Sequence, residues 1–207
     1  MSDPAPANVV TLEVFSDYVC PFCWLAEPGL HELKRDRPDV EIIWRAFELR
    51  PEPHPTLDPR GEYLERVWRE SVYPMAERLG ITMRLPPVQP RSRLAHQAAK
   101  WSQGQARFDD YNAALFRAFF ERGEDIGEVD MLVQIASDLR LDAADLRRAL
   151  NSRKFEASVL ADERDAAELG INGVPAFVAN RRTALSGVQP ATALRALVER
   201  VNARAAT

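Results

Sequence analysis

The hydrophobic pattern at the start of the chain predicts a strand, a helix and a second strand. Residues Val9 to Phe15 are a short apolar run rich in β-branched side chains, which is typical of a strand. From Pro21 to Arg37 the apolar residues recur at helical spacing, and Pro28-Gly29 is expected to break or kink this helix. Residues Val40 to Phe47 again have the composition of a strand. A strand, helix and strand of these lengths predict a right-handed parallel crossover.

After this unit the pattern becomes helical. The prolines between Glu48 and Arg60 predict a loop, and the segment from Gly61 to Leu169 is helical in character. Pro74 is expected to interrupt the first helix of this segment, and a second proline-rich loop is expected from Ile81 to Pro90. Further helices are predicted over Arg91–Gln103, Ala106–Arg122, Glu128–Arg140, Ala143–Asn151 and Lys154–Leu169. The expected helix-end signals are Gly80, Gly123 and Gly170 at C-termini and Asp142 at an N-terminus.

Two short strands are predicted near the C-terminus. They cover Val174–Val178 and Thr183–Gly187, with a hairpin turn at Ala179–Arg182. Pro190 is expected to open a last helix that runs to about Val201. The order is therefore β-α-β, a helical block, and β-β-α. Because the helical block cannot continue the sheet, we interpret it as an insertion into an α/β fold.

Composition and charge narrow the classes of function. The 207 residues are 46% hydrophobic and 28% charged, which is typical of a globular domain, and no apolar run reaches the length of a membrane span. The net charge is −4 with both signs interspersed, so neither nucleic acid nor a membrane is an expected partner. Residues 1–8 are expected to form a flexible arm and lack the pattern of a secretory signal. These features predict a cytoplasmic protein.

The two cysteines of the chain, Cys20 and Cys23, stand between the first predicted strand and its helix. Pro21 fits the first turn of that helix, so Cys20 should lie at the helix N-terminus and Cys23 one turn inside. The free N–H groups and the dipole of a helix N-terminus favour a thiolate at Cys20, which would make it a good nucleophile. Cys20 could then attack a disulfide, and Cys23 could resolve the mixed disulfide.

Two other uses of a cysteine pair are less consistent with the sequence. A structural zinc site needs about four ligands, and the chain adds only His31, His54 and His96 at scattered positions. We therefore expect no metal. A static disulfide between residues this close would close a very short loop and constrain little of the unfolded chain. A C-x-x-C pair that follows a strand and opens a helix favours redox chemistry.

The stretch from Ser16 to Trp24 resembles the site sequence of the DsbA-like thioredoxin superfamily, in particular its FrnE-like branch. A second match, Gly170 to Val178, is similar to the loop before the cis-proline of thioredoxin folds. Weaker similarities lie at Phe47 to Pro51 and at Ala95-His96. The resemblance implies a thioredoxin-like α/β fold with a large all-helical insertion between the β-α-β and β-β-α halves. It divides the chain into a discontinuous thioredoxin-like domain, residues 9–55 and 171–203, and a helical insertion domain, residues 60–170.

The resemblance also implies an activity and a site. The expected function is thiol–disulfide oxidoreduction or isomerisation, with Cys20 as the nucleophile, Cys23 as the resolving thiol and a cis Val174–Pro175 bond beside them. Val174, Pro175, Pro21, Phe22 and Trp24 are the expected substrate-binding residues. No dissociable cofactor is expected, although glutathione is a possible co-substrate. The expected partners are protein or small-molecule thiols and disulfides, with an electron donor or acceptor that the sequence does not identify.

Several other residues are open to two interpretations. Glu13 and Asp17 are candidate proton acceptors for the resolving thiol, but they could equally be a solvated strand residue and a turn-capping carboxylate. His96 is more consistent with helix packing than with catalysis. The aromatic residues between Phe116 and Phe120 fit the insertion core, unless they line the site for an apolar substrate.

Two rival functions remain open from the sequence. Kappa-class glutathione transferases and 2-hydroxychromene-2-carboxylate isomerases have a similar overall pattern, but they typically carry serine where a C-x-x-C pair stands here. A non-enzymatic chaperone that uses the insertion as an apolar surface is the other rival. Suppression of aggregation without the cysteines would identify it.

Overall fold

A computed structural model of the protein describes residues 10–205. The predicted flexible arm at residues 1–8, and Val9 of the first predicted strand, lie outside this range. The side chains are described as far as Val201.

The described chain contains one four-stranded mixed sheet. Its strands are β1 (Val10–Ser16), β2 (Val40–Ala46), β3 (Ala176–Ala179) and β4 (Thr183–Ser186), in the spatial order β2-β1-β3-β4. Strands β1 and β2 pair in parallel, as the strand–helix–strand pattern predicts, and the pairs β1–β3 and β3–β4 are antiparallel. The register places Val14 opposite Trp44 on one side and Phe177 on the other. Strand β3 therefore lies along the side of β1 that β2 leaves free, and the cysteines follow directly after β1 in the chain.

The helices account for most of the remaining chain. They are α1 (Pro21–Asp36), α2 (Glu62–Val67), α3 (Tyr73–Leu79), α4 (Arg93–Gln103), α5 (Phe108–Arg117), α6 (Val129–Asp138), α7 (Ala143–Asn151), α8 (Glu156–Glu168) and α9 (Ala191–Ala205), with π-helical segments at Trp68–Val72 and Ala118–Arg122. The predicted helix-end signals are confirmed: three glycines, Gly80, Gly123 and Gly170, have left-handed backbones, and Asp142 caps α7 by accepting from the Asp145 N–H at 2.8 Å. None of the described helices is long and apolar enough to cross a membrane.

Two helix breaks expected at prolines are absent from the described chain. Helix α1 continues through Pro28-Gly29 as one element, so a break there is wrong, while a kink stays a prediction. Gly29 serves close packing instead, since a Cβ there would lie 2.4 Å from the carbonyl oxygen of Gln189. Pro74 does not separate two helices, because α2 passes through the π-helical segment directly into α3, and Pro74 lies in the first turn of α3. Extra backbone width in a π segment is one way to accommodate a residue that cannot donate a hydrogen bond.

The hydrophobic core has parts on both faces of the sheet and a larger part among the inserted helices. On one face Leu12 and Phe177 pack with residues of α1 and α9, and on the other Phe15 and Val178 pack with Ala166 of α8. The inserted helices enclose a third, aromatic-rich cluster around Trp68, Tyr111, Leu115, Phe116, Phe119 and Phe120. Cys20 and Cys23 belong to this cluster. The α/β layout with a helical segment between β2 and β3 is confirmed, while the domain boundaries stay a prediction.

Candidate active site

Cys20 and Cys23 occupy the positions that the local sequence predicts. Cys20 is the N-cap of α1 with an extended backbone, and Pro21 is the first residue of the helix. The N–H of Cys23 donates to the carbonyl of Cys20 at 3.1 Å, so the second thiol lies within the first turn. Both thiols are free. Their exposed fractions are nearly equal, 3% for Cys20 and 2% for Cys23.

The surroundings of the two sulfurs nevertheless differ. Cys20 lines a surface cleft, and its thiol donates to the carbonyl of Val174 at 3.5 Å. The sulfur of Cys23 lies behind it and accepts from the N–H of Asp17 at 3.4 Å. Burial and the adjacent Cys20 thiol raise the pKa of Cys23 well above its ordinary value, opposed by the Asp17 N–H and the Ser16 side chain. The arrangement therefore offers one thiol to a ligand and keeps the other protonated.

The loop before β3 brings Val174 and Pro175 beside the cysteines. Ala176, the first residue of β3, pairs with Phe15 near the end of β1, so the loop lies next to the turn that carries Cys20. The Val174–Pro175 peptide bond is cis, and the Pro175 carbonyl accepts from the N–H of Gly187 at 2.8 Å. The neighbouring Val174 carbonyl is the one that accepts from the Cys20 thiol.

The cleft over Cys20 has a volume of about 270 Å³ and a mainly apolar lining. Predicted residues Pro21, Phe22 and Val174 contribute to it, whereas Pro175 and Trp24 do not. The indole of Trp24 stacks on Phe116 instead, with 5.3 Å between ring centroids. Of the aromatic residues between Phe116 and Phe120, for which the sequence left open a place in the core or in the site, Phe120 lines the cleft. The rest of the lining comes from Val19, Leu49, Arg50, Thr56, Leu57, Tyr63, Leu64, Val67, Trp68, Gln89 and Pro90.

Of the two candidate proton acceptors, Glu13 is held in an ion network away from the cysteines. Its side chain is buried, lies 2.7 Å from the Arg45 guanidinium and accepts from Arg181 at 3.2 Å. Arg45 also contacts Asp162 of α8 at 3.1 Å. Within the described residues, Glu13 makes no hydrogen bond to either cysteine.

Asp17 lies at the site itself. Its carboxylate is fully buried and accepts from the N–H of Leu49 at 2.7 Å, while its own N–H reaches the sulfur of Cys23. The Nε2 atom of His96, on α4, is 3.4 Å from Asp17 Oδ1. His96 is therefore part of the site as well as buried in helix packing. The one sequence signal for it was the weak Ala95-His96 similarity.

Comparisons with known proteins identify the family and the fold. The family model of the DSBA-like thioredoxin domain matches residues 11–199. The uncharacterized protein YwbO of Bacillus subtilis (strain 168) is 35% identical over 173 residues, 82% of this chain and 86% of that protein. A probable DsbA oxidoreductase from Streptomyces coelicolor has a TM-score of 0.77 at 25% identity, with 92% of this chain and 89% of that chain covered.

Two further structures are similar in fold. The cytosolic disulfide reductase DsbM of Pseudomonas aeruginosa, solved with GSH, has a TM-score of 0.69 at 20% identity, covering 94% and 96% of the two chains. A 2-hydroxychromene-2-carboxylate isomerase has a TM-score of 0.76 at 18% identity, covering 95% and 98%. Because the family model spans most of the chain and includes both cysteines, the protein belongs to the DSBA-like thioredoxin domain family.

Proposed function

We propose that this protein catalyses thiol–disulfide exchange, with Cys20 as the nucleophile and Cys23 as the resolving thiol. The observation that carries the proposal is the asymmetry of the pair. Cys20 opens onto the cleft at a helix N-terminus, whereas Cys23 lies behind it with its pKa raised by burial. A nucleophile must reach its substrate as a thiolate, and a resolving thiol must wait until the mixed disulfide has formed.

The reaction would begin when the Cys20 thiolate attacks a substrate disulfide, forming a mixed disulfide and releasing one substrate thiolate. Cys23 would then attack Cys20, leaving an enzyme disulfide and a fully reduced substrate. Thiols from another dithiol, or from glutathione, would restore the enzyme. The steps run in reverse if the enzyme oxidises its substrate.

The cleft points to the kind of substrate. Phe22, Tyr63 and Trp68 give it broad apolar surfaces, and Arg50 adds a positive charge. The Val174 carbonyl lies at the Cys20 end, where it could accept a backbone hydrogen bond from an extended peptide. A cysteine flanked by apolar residues in an unfolded or flexible segment suits this lining.

Phe22 is our basis for the direction of electron flow. It brings neither a hydrogen-bond donor nor a charge to the Cys20 thiolate, so the reduced form lacks a source of stabilisation beyond the helix terminus. A weakly oxidising dithiol favours reduction or isomerisation in a reducing compartment. We therefore propose a cytoplasmic enzyme of the FrnE-like branch, with the reductase direction preferred.

The test compares single cysteine variants on a disulfide-bonded peptide with apolar residues beside its cysteines. Cys23→Ser should accumulate a mixed disulfide through Cys20, detected by mass, and should turn over at least about a hundredfold more slowly than the wild type. Cys20→Ser should neither trap the peptide nor turn it over. Trapping by Cys20→Ser, or full turnover by Cys23→Ser, would show that the roles are assigned wrongly.

The alternative function, a glutathione-dependent isomerase or transferase, is supported only by the shared fold. Such an enzyme activates glutathione with one residue, so its activity would survive Cys23→Ser. Loss of catalysis in that variant therefore distinguishes the two functions.

A further inference from the structure

The resolving step needs a proton acceptor. Burial raises the pKa of Cys23, and this cause remains when Cys20 is bonded to the substrate in a mixed disulfide. Before the Cys23 sulfur can attack that disulfide, its proton must leave for a group inside the protein or for water that reaches it. A buried acid is suited to this task only if it lies beside the reacting sulfur.

Glu13 does not meet this requirement. Its Oε1 atom is paired with Arg45 and Arg181 on the face of the sheet that packs against α8, and its Oε2 atom has no hydrogen-bond partner among the described residues. This carboxyl could bind a proton, but it makes no described hydrogen bond to either cysteine, whereas the N–H of Asp17 donates to Cys23. The acceptor must therefore be sought on the other side of the turn.

Asp17 and His96 lie on that side. Asp17 touches the reacting sulfur through its N–H, and its Oδ1 faces His96 Nε2 at 3.4 Å. Both side chains are buried, with exposed fractions of 0% for Asp17 and 4% for the histidine. The Nε2 atom lacks a hydrogen bond of good geometry among the described residues. Imidazole is the side chain that gains or loses a proton near neutral pH without further tuning.

A small crevice adjoins His96 at the end of β1. Ser16, whose side chain lowers the pKa of the Cys23 thiol, lines this crevice together with His96. Its volume is about 20 Å³, room for about one water molecule. Tyr18 packs on the imidazole with 5.0 Å between ring centroids and borders the same crevice.

We propose that His96 is a positioning residue that, through Asp17, enables the turn to accept the proton released by Cys23 in the resolving step. The inference rests on the proposed exchange function. The Cys23 S–H bond gives its proton to the Asp17–His96 pair, and the sulfur uses the freed electron pair to bond to Cys20. The bond between Cys20 and the substrate sulfur breaks, and the substrate leaves as a thiolate. The enzyme is oxidised, the substrate is reduced, and the proton passes from the pair to water.

The charges that face His96 come from three elements. Asp17 of the turn is negative, and across the crevice lie Arg45 of β2 and Lys100 of α4. Both cations are paired with Asp162. Asp17 is therefore the charged group placed to bind a proton together with the imidazole.

The experiment isolates the resolving step with 5,5′-dithiobis(2-nitrobenzoate). Cys20 releases one coloured thiolate when it reacts, and attack by Cys23 on the resulting mixed disulfide releases a second. The rate of the second release is followed by stopped flow from neutral to alkaline pH. Three proteins are compared with the wild type: His96→Gln, Asp17→Asn and the double variant.

His96→Gln should slow the second release about tenfold or more at neutral pH, and the slowing should diminish as the pH rises, because hydroxide increasingly removes the Cys23 proton without help from the pair. The two single variants should not be additive in the double variant, because they disable one pair. Gln97→Leu is the matched control, since Gln97 is the next residue of α4 and equally buried, and it should keep the wild-type pH profile.

A slowing by His96→Gln that is equal at every pH would mean a purely structural role and would overturn the inference. So would a wild-type profile in that variant, or additive effects of the two substitutions. If the wild type itself gave no second release at any pH, the proposed exchange function would fail, and this inference with it.

Discussion

Replacing Glu27 by glutamine should stabilise the protein at neutral and alkaline pH. Glu27 lies on α1 and is almost completely buried, although its Oε1 accepts from the amide of Asn112 at 3.0 Å. Burial raises the pKa of this carboxyl from 4.5 to about 7, with a further rise from Asp109 that the Asn112 hydrogen bond and Lys34 oppose. Above this pH the Glu27 carboxylate is charged inside the fold, where burial disfavours the charge.

The magnitude follows from the change in pKa. A rise from 4.5 to about 7 corresponds to about 3 kcal/mol, at about 1.4 kcal/mol for each tenfold change in proton affinity. Because the folded state binds this proton more tightly, its stabilising effect is complete below pH 4.5 and is lost as the pH rises through about 7. The glutamine variant has no proton to lose at this position, so its stability does not fall as the pH rises. Its free energy of unfolding should therefore exceed that of the wild type by up to about 3 kcal/mol above this window.

The assay is urea unfolding of both proteins on either side of the window. His31 Nε2 lies 3.3 Å from Glu27 Oε2, but the imidazole is 65% exposed, so solvent screens this contact and it should offset only a small part of the effect. Glu32→Gln, on the same helix and 46% exposed, is the control and should show no comparable dependence on pH. A Glu27→Gln advantage that stays constant with pH, or a loss of stability above the window, would refute the reasoning.

Two further predictions concern the redox poise and the ion network. Phe22→His should raise the reduction potential from a wild-type value well below the roughly −120 mV of DsbA, because histidine can stabilise the reactive thiolate. Equilibration with glutathione buffers measures this, with Phe22→Leu as the control, and an unchanged potential in the histidine variant would contradict it. Arg45→Met should lower the free energy of unfolding by about 3 kcal/mol, since it removes a shared cation from the buried carboxylates Glu13 and Asp162. Urea unfolding measures this, with Arg69→Met as the control. Arg69 pairs with Glu70 on the surface, so its loss should change the free energy of unfolding little. Equal losses of stability in the two variants would count against the network.

The dithiol could be predicted from sequence because every relation it needs is local. A strand, a turn, two cysteines and Pro21 lie within one short stretch, and the helix N-terminus forms from the same residues. The orientation of Glu13 could not be predicted in this way. Strand β1 is covered on both faces, so alternation of apolar and polar residues does not tell which side is buried.

The contact between Asp17 and His96 was equally out of reach. The two residues are far apart in the chain, and α4 brings them together only after the inserted helices have packed. The local sequence around a buried histidine on a helix does not tell whether its packing partner is a carboxylate or a leucine. The part of the cleft lining far from the cysteines in sequence was missed for the same reason, since Leu49, Arg50 and Tyr63 come from loops and helices whose arrangement is set by tertiary packing.

The site joins two sources of structure, one for the dithiol and one for the wall of the cleft. The turn after β1 and the start of α1 supply both thiols and the Asp17 N–H that donates to Cys23. The segment between β2 and β3 supplies most of the cleft wall, including Trp68 and Phe120, which lie within the two π-helical segments. These wall residues line the cleft together with Cys20 and make no hydrogen bond to Cys23 among the described residues. Changes in the inserted helices can therefore reshape the cleft, while the different surroundings of Cys20 and Cys23 stay as the turn sets them. His96 is the exception, because it is an inserted residue that reaches the turn itself through Asp17.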